Sequence, residues 1–105
     1  MKKFEIYAGG ILIGSTSFEH GDPPMGVAYG NMALAPNCRF NHAMAKSTLS
    51  VRLDGKPIPS NGGLFVEDLL EELGEIQVTI LGIDHELYEE LFPEHVAAYQ
   101  EQFGS

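Results

Sequence analysis

The segment from Glu19 to Gly30, which reads EHGDPPMGVAYG, constrains the fold more than any other stretch of this chain. Asp22 precedes Pro23, and Pro23 precedes Pro24, so both residues before a proline are directed towards extended backbone. The two prolines also lack amide donors, which excludes a continuous helix or a central strand here. We therefore predict a stiff, extended, polyproline-like connection that divides the chain, with residues 27–29 forming a short strand after it.

Two β-hairpins are predicted on either side of this connection. Apolar runs at residues 4–7 and 11–13 surround the pair Gly9-Gly10, and both central residues of a type I′ turn need positive φ. Residues 48–53 alternate between apolar and polar side chains and are followed by Asp54-Gly55, another turn signal of this type. Pro57 limits the returning strand to a sheet edge.

The second half of the chain has patterns typical of helices and of one central strand. Residues 64–73 carry apolar side chains on one arc and acidic side chains on the opposite arc, and Gly74 is a helix stop signal. The β-branched run at residues 75–81 predicts a strand in the interior of the sheet. Asp84 can cap a second helix, and Pro93 can begin a third. Residues 36–45 also fit a helix.

These elements indicate one domain over residues 1–105. Hairpins outnumber crossover connections, which favours the α+β class. We predict a mainly antiparallel sheet of roughly four to six short strands, with two or three amphipathic helices packed on one face. Most of the helices are expected in the C-terminal half.

The charge distribution limits the kinds of partner. The net charge is −9, yet residues 1–56 contain all six lysines and arginines, and residues 57–105 contain eleven acidic residues and no basic one. A nucleic-acid binder needs cations along the phosphates, so we predict no nucleic-acid partner. A basic protein partner fits the acidic half better.

The leading hypothesis is a non-catalytic interaction domain whose acidic helical faces bind a basic protein, as small immunity and inhibitor proteins do by analogy of size and charge. Like charges four residues apart disfavour a helix slightly, and no lysine relieves them here. The alternative is an acidic surface that only aids solubility. The candidate partner-binding residues are Glu67, Asp68, Glu71, Glu72, Glu86, Glu89 and Glu90.

A rival hypothesis is a small enzyme or ligand-binding domain with a pocket beside the loop from Gly21 to Gly26, although no catalytic residue is predicted. As a rigid connector, the loop would instead bury Met25 in the core. A preorganised loop costs little entropy on binding, and a pocket would require residues distant in the chain to meet there. Its candidate residues are His20, Asp22, Pro23, Pro24, Met25, Cys38 and His42.

Metal and cofactor sites are not predicted. The chain has no H-E-x-x-H, Cys-x-x-Cys or nucleotide-binding glycine motif. His20, Asp22 and His42 would make a site of two histidines and a carboxylate only if the fold brought them together.

Cys38 is the single cysteine, which suits a reducing compartment, and we predict a cytoplasmic protein. The apolar run at residues 11–13 is too short to span a membrane, so no membrane association is expected. A homo-oligomer joined through an edge strand is a third hypothesis.

Overall fold

The computed structural model describes residues 2–36, 38 and 48–103. They form nine strands, a 3₁₀ turn at Pro23–Met25 and three α-helices. The strands are β1 (Phe4–Ala8), β2 (Ile11–Thr16), β3 (His20–Asp22), β4 (Val27–Asn31), β5 (Ala33–Leu34), β6 (Leu49–Leu53), β7 (Lys56–Pro57), β8 (Gly63–Leu69) and β9 (Glu75–Leu81). The helices are α1 (Leu70–Leu73), α2 (His85–Leu91) and α3 (Pro93–Phe103). The α+β class and the C-terminal position of the helices are confirmed.

The strands divide into two antiparallel sheets rather than one. The first sheet has the order β5-β2-β1-β6-β7, and the second has the order β3-β4-β9-β8. The chain passes from the first sheet to the second between Thr16 and His20. Helix α3 contacts β3 and the 3₁₀ turn, and α2 contacts the same turn. Helices α2 and α3 therefore pack at the β3 end of the second sheet, whereas α1 contacts β9.

Both sheets contribute to one hydrophobic core. Alternate residues point to the same face of a strand, and the inward face of β9 places Ile76, Val78 and Ile80 in the core. Strand β1 contributes its alternate residues in the same way. The buried side chains Tyr88 and Phe92 belong to the same cluster and bring α2 against it.

Both predicted hairpins are confirmed. Gly9 and Gly10 have φ angles of 57° and 86°, and Asp54 and Gly55 have φ angles of 53° and 80°. Two consecutive positive φ values are what a type I′ turn requires. The two-residue strand β7 lies at a sheet edge, as Pro57 predicts, and β9 lies between β4 and β8 in the sheet interior.

The helix predicted over residues 64–73 is wrong. Most of this stretch is strand β8, which pairs antiparallel with β9, and only Leu70–Leu73 forms a helical turn. As a strand, the segment packs Leu64 and Val66 against the core while its amides join the β9 ladder. Pairing with a neighbouring strand therefore overrides the helical periodicity. Gly74 ends the helical turn with φ 70°, as predicted.

The proline segment also differs from the prediction. It is not an extended step but a 3₁₀ turn between β3 and β4, so the whole segment is a hairpin. Gly26 adopts φ 65°, and its N–H donates to the carbonyl oxygen of Pro23 at 3.0 Å, which closes the turn. Gly21 lies within β3 and has no positive φ. Met25 is 67% exposed, so it is not a core residue.

The helix predicted over residues 36–45 lies almost wholly outside the described residues, as does His42. Cys38 is described, and it packs partly buried against the core. Its N–H donates to the carbonyl oxygen of Ala35 at 3.0 Å.

Candidate functional site

An open cleft of about 780 Å³ lies between the β3–β4 hairpin and helix α3. We call it the hairpin–helix cleft. Its size falls within the range of small-molecule and side-chain binding sites. One wall consists of Glu19, His20, Gly21, Asp22, Pro24, Met25, Val27 and Tyr29, and the other consists of His95, Ala98, Tyr99, Gln102 and Phe103.

Apolar side chains stand exposed on both walls of the cleft. The 3₁₀ turn presents Met25 from the hairpin, and the last turn of α3 presents Phe103, which is 65% exposed. Exposed large apolar groups that share a concave surface are typical of binding sites. The closed proline turn holds its wall without a flexible loop, so little conformational entropy is lost when a ligand binds.

Two aromatic pairs give the walls their shape. His20 and Tyr29 are cross-strand neighbours, and their rings stack with centroids 5.3 Å apart. Tyr99 and Phe103 are four residues apart on α3, and their rings lie 4.9 Å apart. Each wall therefore offers aromatic surface to the cleft.

The floor of the cleft depends on close approach at Gly21. A Cβ atom there would collide with the hydroxyl oxygen of Tyr88 and lie 2.7 Å from Cδ2 of His95. The Tyr88 hydroxyl donates to the carbonyl oxygen of Val27 at 2.8 Å. Glycine at this position thus allows α2 and α3 to pack directly against the hairpin.

The Tyr88 hydroxyl stays protonated. Burial raises the pKa of this phenol, and the nearby carboxylates of Asp22 and Glu94 raise it further. A phenol in this state can donate a hydrogen bond but cannot serve as a base near neutral pH. Its role here is to hold the hairpin against α2.

His95 connects α3 to the segment between β2 and β3, where the chain first passes from one sheet to the other. Its Nε2 lies 2.6 Å from the carbonyl oxygen of Phe18, and because a carbonyl only accepts, Nε2 carries the proton. Phe18 has φ 47°, a left-handed conformation that costs a bulky residue about 1–2 kcal/mol. Its ring packs edge-on to Phe4 at 5.1 Å, and its N–H bonds to Oγ1 of Thr16. These contacts hold the strained residue in place.

A second cleft of about 690 Å³ is lined in part by Ser17 and Phe18, in the segment between β2 and β3. It shares Glu19 and His95 with the hairpin–helix cleft. Lys2 and Lys3 line it together with acidic residues. The Glu19 carboxylate accepts a hydrogen bond from the N–H of Asn31 at 3.1 Å, which fixes its position between the clefts. The two clefts therefore differ in charge, since only the second contains lysines among its lining residues.

The predicted partner-binding carboxylates fall into two groups, and all seven are exposed. The first group lies on β8 and α1, and the second lies on α2. The seven-residue strand β9 separates the two groups along the chain, since α1 precedes it and α2 follows it. We call them the β8–α1 group (Glu67, Asp68, Glu71 and Glu72) and the α2 group (Glu86, Glu89 and Glu90).

The residues predicted for the loop pocket are only partly brought together. Asp22, Pro24, Met25 and His20 line the hairpin–helix cleft, whereas Pro23, the first residue of the 3₁₀ turn, is not among the lining residues. Cys38 lines neither cleft, and His42 lies outside the described residues.

The sequence interpretation missed the helix wall of the cleft. The sequence predicts a helix beginning at Pro93, but its local pattern does not indicate that Tyr99 and Phe103 face the proline hairpin. The lining residues that were not predicted are His95, Ala98, Tyr99, Gln102 and Phe103 on the helix wall and Glu19, Gly21, Val27 and Tyr29 on the hairpin wall.

Within residues 2–36, 38 and 48–103, no group of three or more histidine, cysteine, aspartate or glutamate side chains is placed to hold a metal ion. In the same part of the chain, no helix combines the length and the apolar composition needed to cross a membrane. No protein-family model, curated protein or solved structure matches this chain.

Proposed function

We propose that this chain is a non-catalytic interaction domain that binds a basic protein partner through the exposed carboxylates of its C-terminal half. The observation that carries the proposal is the state of these carboxylates. All seven are exposed, and in the described part of the chain the only contact at salt-bridge distance joins Nε2 of His85 to Oε1 of Glu89, at 3.2 Å. Lysine and arginine are missing from the sequence after Lys56.

None of the seven carboxylates pairs with a lysine or arginine among the described residues, and such exposed charges favour association with a surface of opposite sign. Glu86 and Glu90 are four residues apart on α2, and such a like-charged pair costs a helix about 0.2–0.5 kcal/mol. A basic partner would relieve this repulsion. Complementary charge also accelerates the encounter of two proteins and makes it sensitive to salt. We place the protein in the cytoplasm, since its single cysteine suits a reducing compartment.

The proposal is tested by affinity capture from the source cell at low and at moderate salt, followed by titration of the captured protein against the purified domain. We expect a basic partner whose affinity falls steeply with salt. The test variant is E86Q/E89Q/E90Q, and the matched control is E5Q/D54N/E101Q, which removes the same number of charges elsewhere. Equal affinity for both variants, or no salt-sensitive basic partner, overturns the proposal.

A ligand-binding domain is the second candidate function, and the hairpin–helix cleft favours it. Met25 and Phe103 expose apolar surface on opposite walls of a preformed concavity. Raising the melting temperature with small aromatic or cationic compounds would support this function. If M25A/F103A keeps the same shift, the cleft is not the ligand site.

Self-association is a third candidate, because β8 is a seven-residue strand at the edge of the second sheet with Phe65 exposed. Edge strands of this length can pair with another copy. Sedimentation of the wild type and of F65K shows whether each is a monomer or self-associates. A monomer at high concentration excludes this candidate.

A further inference from the structure

The hairpin–helix cleft combines aromatic walls with an apolar rim. Tyr29 and Tyr99 line opposite walls, and Met25 adds an exposed apolar side chain to the hairpin wall. Aromatic faces attract cations through their quadrupole, and apolar surface suits the aliphatic stem of a long basic side chain. The shape and lining of the cleft thus fit one extended cationic side chain.

The charge of the cleft complements such a side chain. Its lining includes the carboxylates of Glu19 and Asp22, and none of the described lining residues is a lysine or arginine. Glu94 adds negative charge near the floor, since it and Asp22 both act on the Tyr88 hydroxyl. One Glu19 oxygen accepts the Asn31 N–H, which holds this carboxylate at the cleft.

We propose that this cleft receives an arginine side chain from the basic partner, with the guanidinium against the aromatic walls and beside the Glu19 and Asp22 carboxylates. The inference rests on the proposed function, since it names the chemistry by which that partner is recognised. Arginine fits better than lysine because its planar head stacks on rings and bonds carboxylates through two N–H groups at once. Lysine offers only a strongly hydrated point charge.

Hexa-arginine is the probe that tests this inference, and amide chemical shifts of the isotope-labelled protein are the readout. We expect saturable shift changes at Tyr29, Ala98 and Tyr99. Hexa-lysine should bind about fivefold more weakly at these residues, because it cannot stack or bond in a bidentate manner. Hexa-citrulline has nearly the same shape without charge and should leave the cleft signals unchanged.

Two variants and a matched control locate the binding. D22N should weaken hexa-arginine binding at the cleft about tenfold, because it removes a charge-assisted partner. Y99L should weaken it about fivefold by removing an aromatic wall. E5Q removes the same charge as D22N from strand β1, outside the cleft lining, and should change the cleft affinity by less than about twofold. If Y99L does not fold, F103A replaces it, since Phe103 is exposed.

The outcomes separate this inference from the proposed function. Shift changes confined to the β8–α1 and α2 groups, or equal binding by D22N and E5Q, overturn the cleft as an arginine site while the acidic surface still stands. Cleft binding of hexa-arginine together with full partner affinity in E86Q/E89Q/E90Q overturns the acidic surface and supports the cleft. A peptide series without any arginine preference over lysine also contradicts the inference.

Discussion

Residues 64–73 and residues 85–92 show the same helical spacing of apolar side chains, yet only the second stretch is a full helix. Both stretches contain adjacent apolar pairs, Phe65-Val66 and Leu69-Leu70 in the first and Leu87-Tyr88 and Leu91-Phe92 in the second, so this spacing does not distinguish them. In the first, Leu64 and Val66 fit a strand face equally well, and β9 offers a free edge beside them. Where the spacing of apolar residues fits both a helix and a strand, the neighbouring segment in the fold determines which one forms.

The largest difference in stability between the two stretches should appear when an aromatic ring is removed from each. Phe92 is 1% exposed and stacks on Phe4 at 5.3 Å, so F92A should cost about 3–5 kcal/mol of unfolding free energy. Phe65 is 56% exposed on β8, so F65A should cost less than about 1 kcal/mol. Urea unfolding of both variants measures the difference. Equal losses would show that β8 is packed as tightly as α2.

Gly26 and Gly74 should also differ in how much stability an alanine substitution costs. Gly26 precedes β4, and a Cβ on it would lie 2.6 Å from the carbonyl oxygen of Ile83, just before α2. G26A should therefore cost more than about 2 kcal/mol, through the left-handed φ and this collision. Gly74 ends α1 with a similar φ but open space around it, so G74A should cost about 1 kcal/mol. Thermal unfolding compares them, and a costlier G74A would contradict the packing at Ile83.

Tyr88 ties α2 to the hairpin, and its removal tests that tie. Y88F leaves the Val27 carbonyl without its donor and should cost about 1–2 kcal/mol at pH 7. The pKa of Tyr88 is raised in the folded protein, so its stabilising contribution is complete below the ordinary tyrosine pKa of about 10 and declines above it. Unfolding free energies of the wild type should therefore fall between pH 10 and 12, and Y88F should show a shallower fall. Parallel pH profiles would rule out Tyr88 as the source.

The smallest predicted effect is the change in unfolding free energy caused by threonine substitutions, and its sign should be opposite on β8 and on α2. Glu67 is exposed on β8, where threonine has the higher strand propensity, so E67T should stabilise by a few tenths of a kcal/mol. Glu89 is exposed on α2 and pairs with His85, so E89T should destabilise by about 0.5 kcal/mol. Chemical denaturation with replicate curves resolves such differences. The same sign in both variants would mean that local secondary structure does not govern these positions.

The candidate site was only partly predictable from the sequence. The prolines and Asp22 marked the hairpin wall of the cleft because their composition fitted no regular element. The helix wall was missed because Tyr99 and Phe103 lie about seventy residues further along the chain, and an aromatic stripe on a helix predicts core packing first. His95 gave no signal, since its partner is a backbone carbonyl whose position depends on the strained Phe18.

The sequence by itself determined the features that depend on neighbouring residues: the turns at Gly9-Gly10 and Asp54-Gly55, the alternation of β9, and the start of α3 at Pro93. Each follows from backbone sterics or from a periodicity with one interpretation. Three features depend on the tertiary structure instead. Residues 63–69 form a strand, and the nine strands of the described chain form two sheets. Helix α3 lies against the proline hairpin. Those outcomes depend on hydrogen bonds and burial between distant segments, which local patterns do not encode.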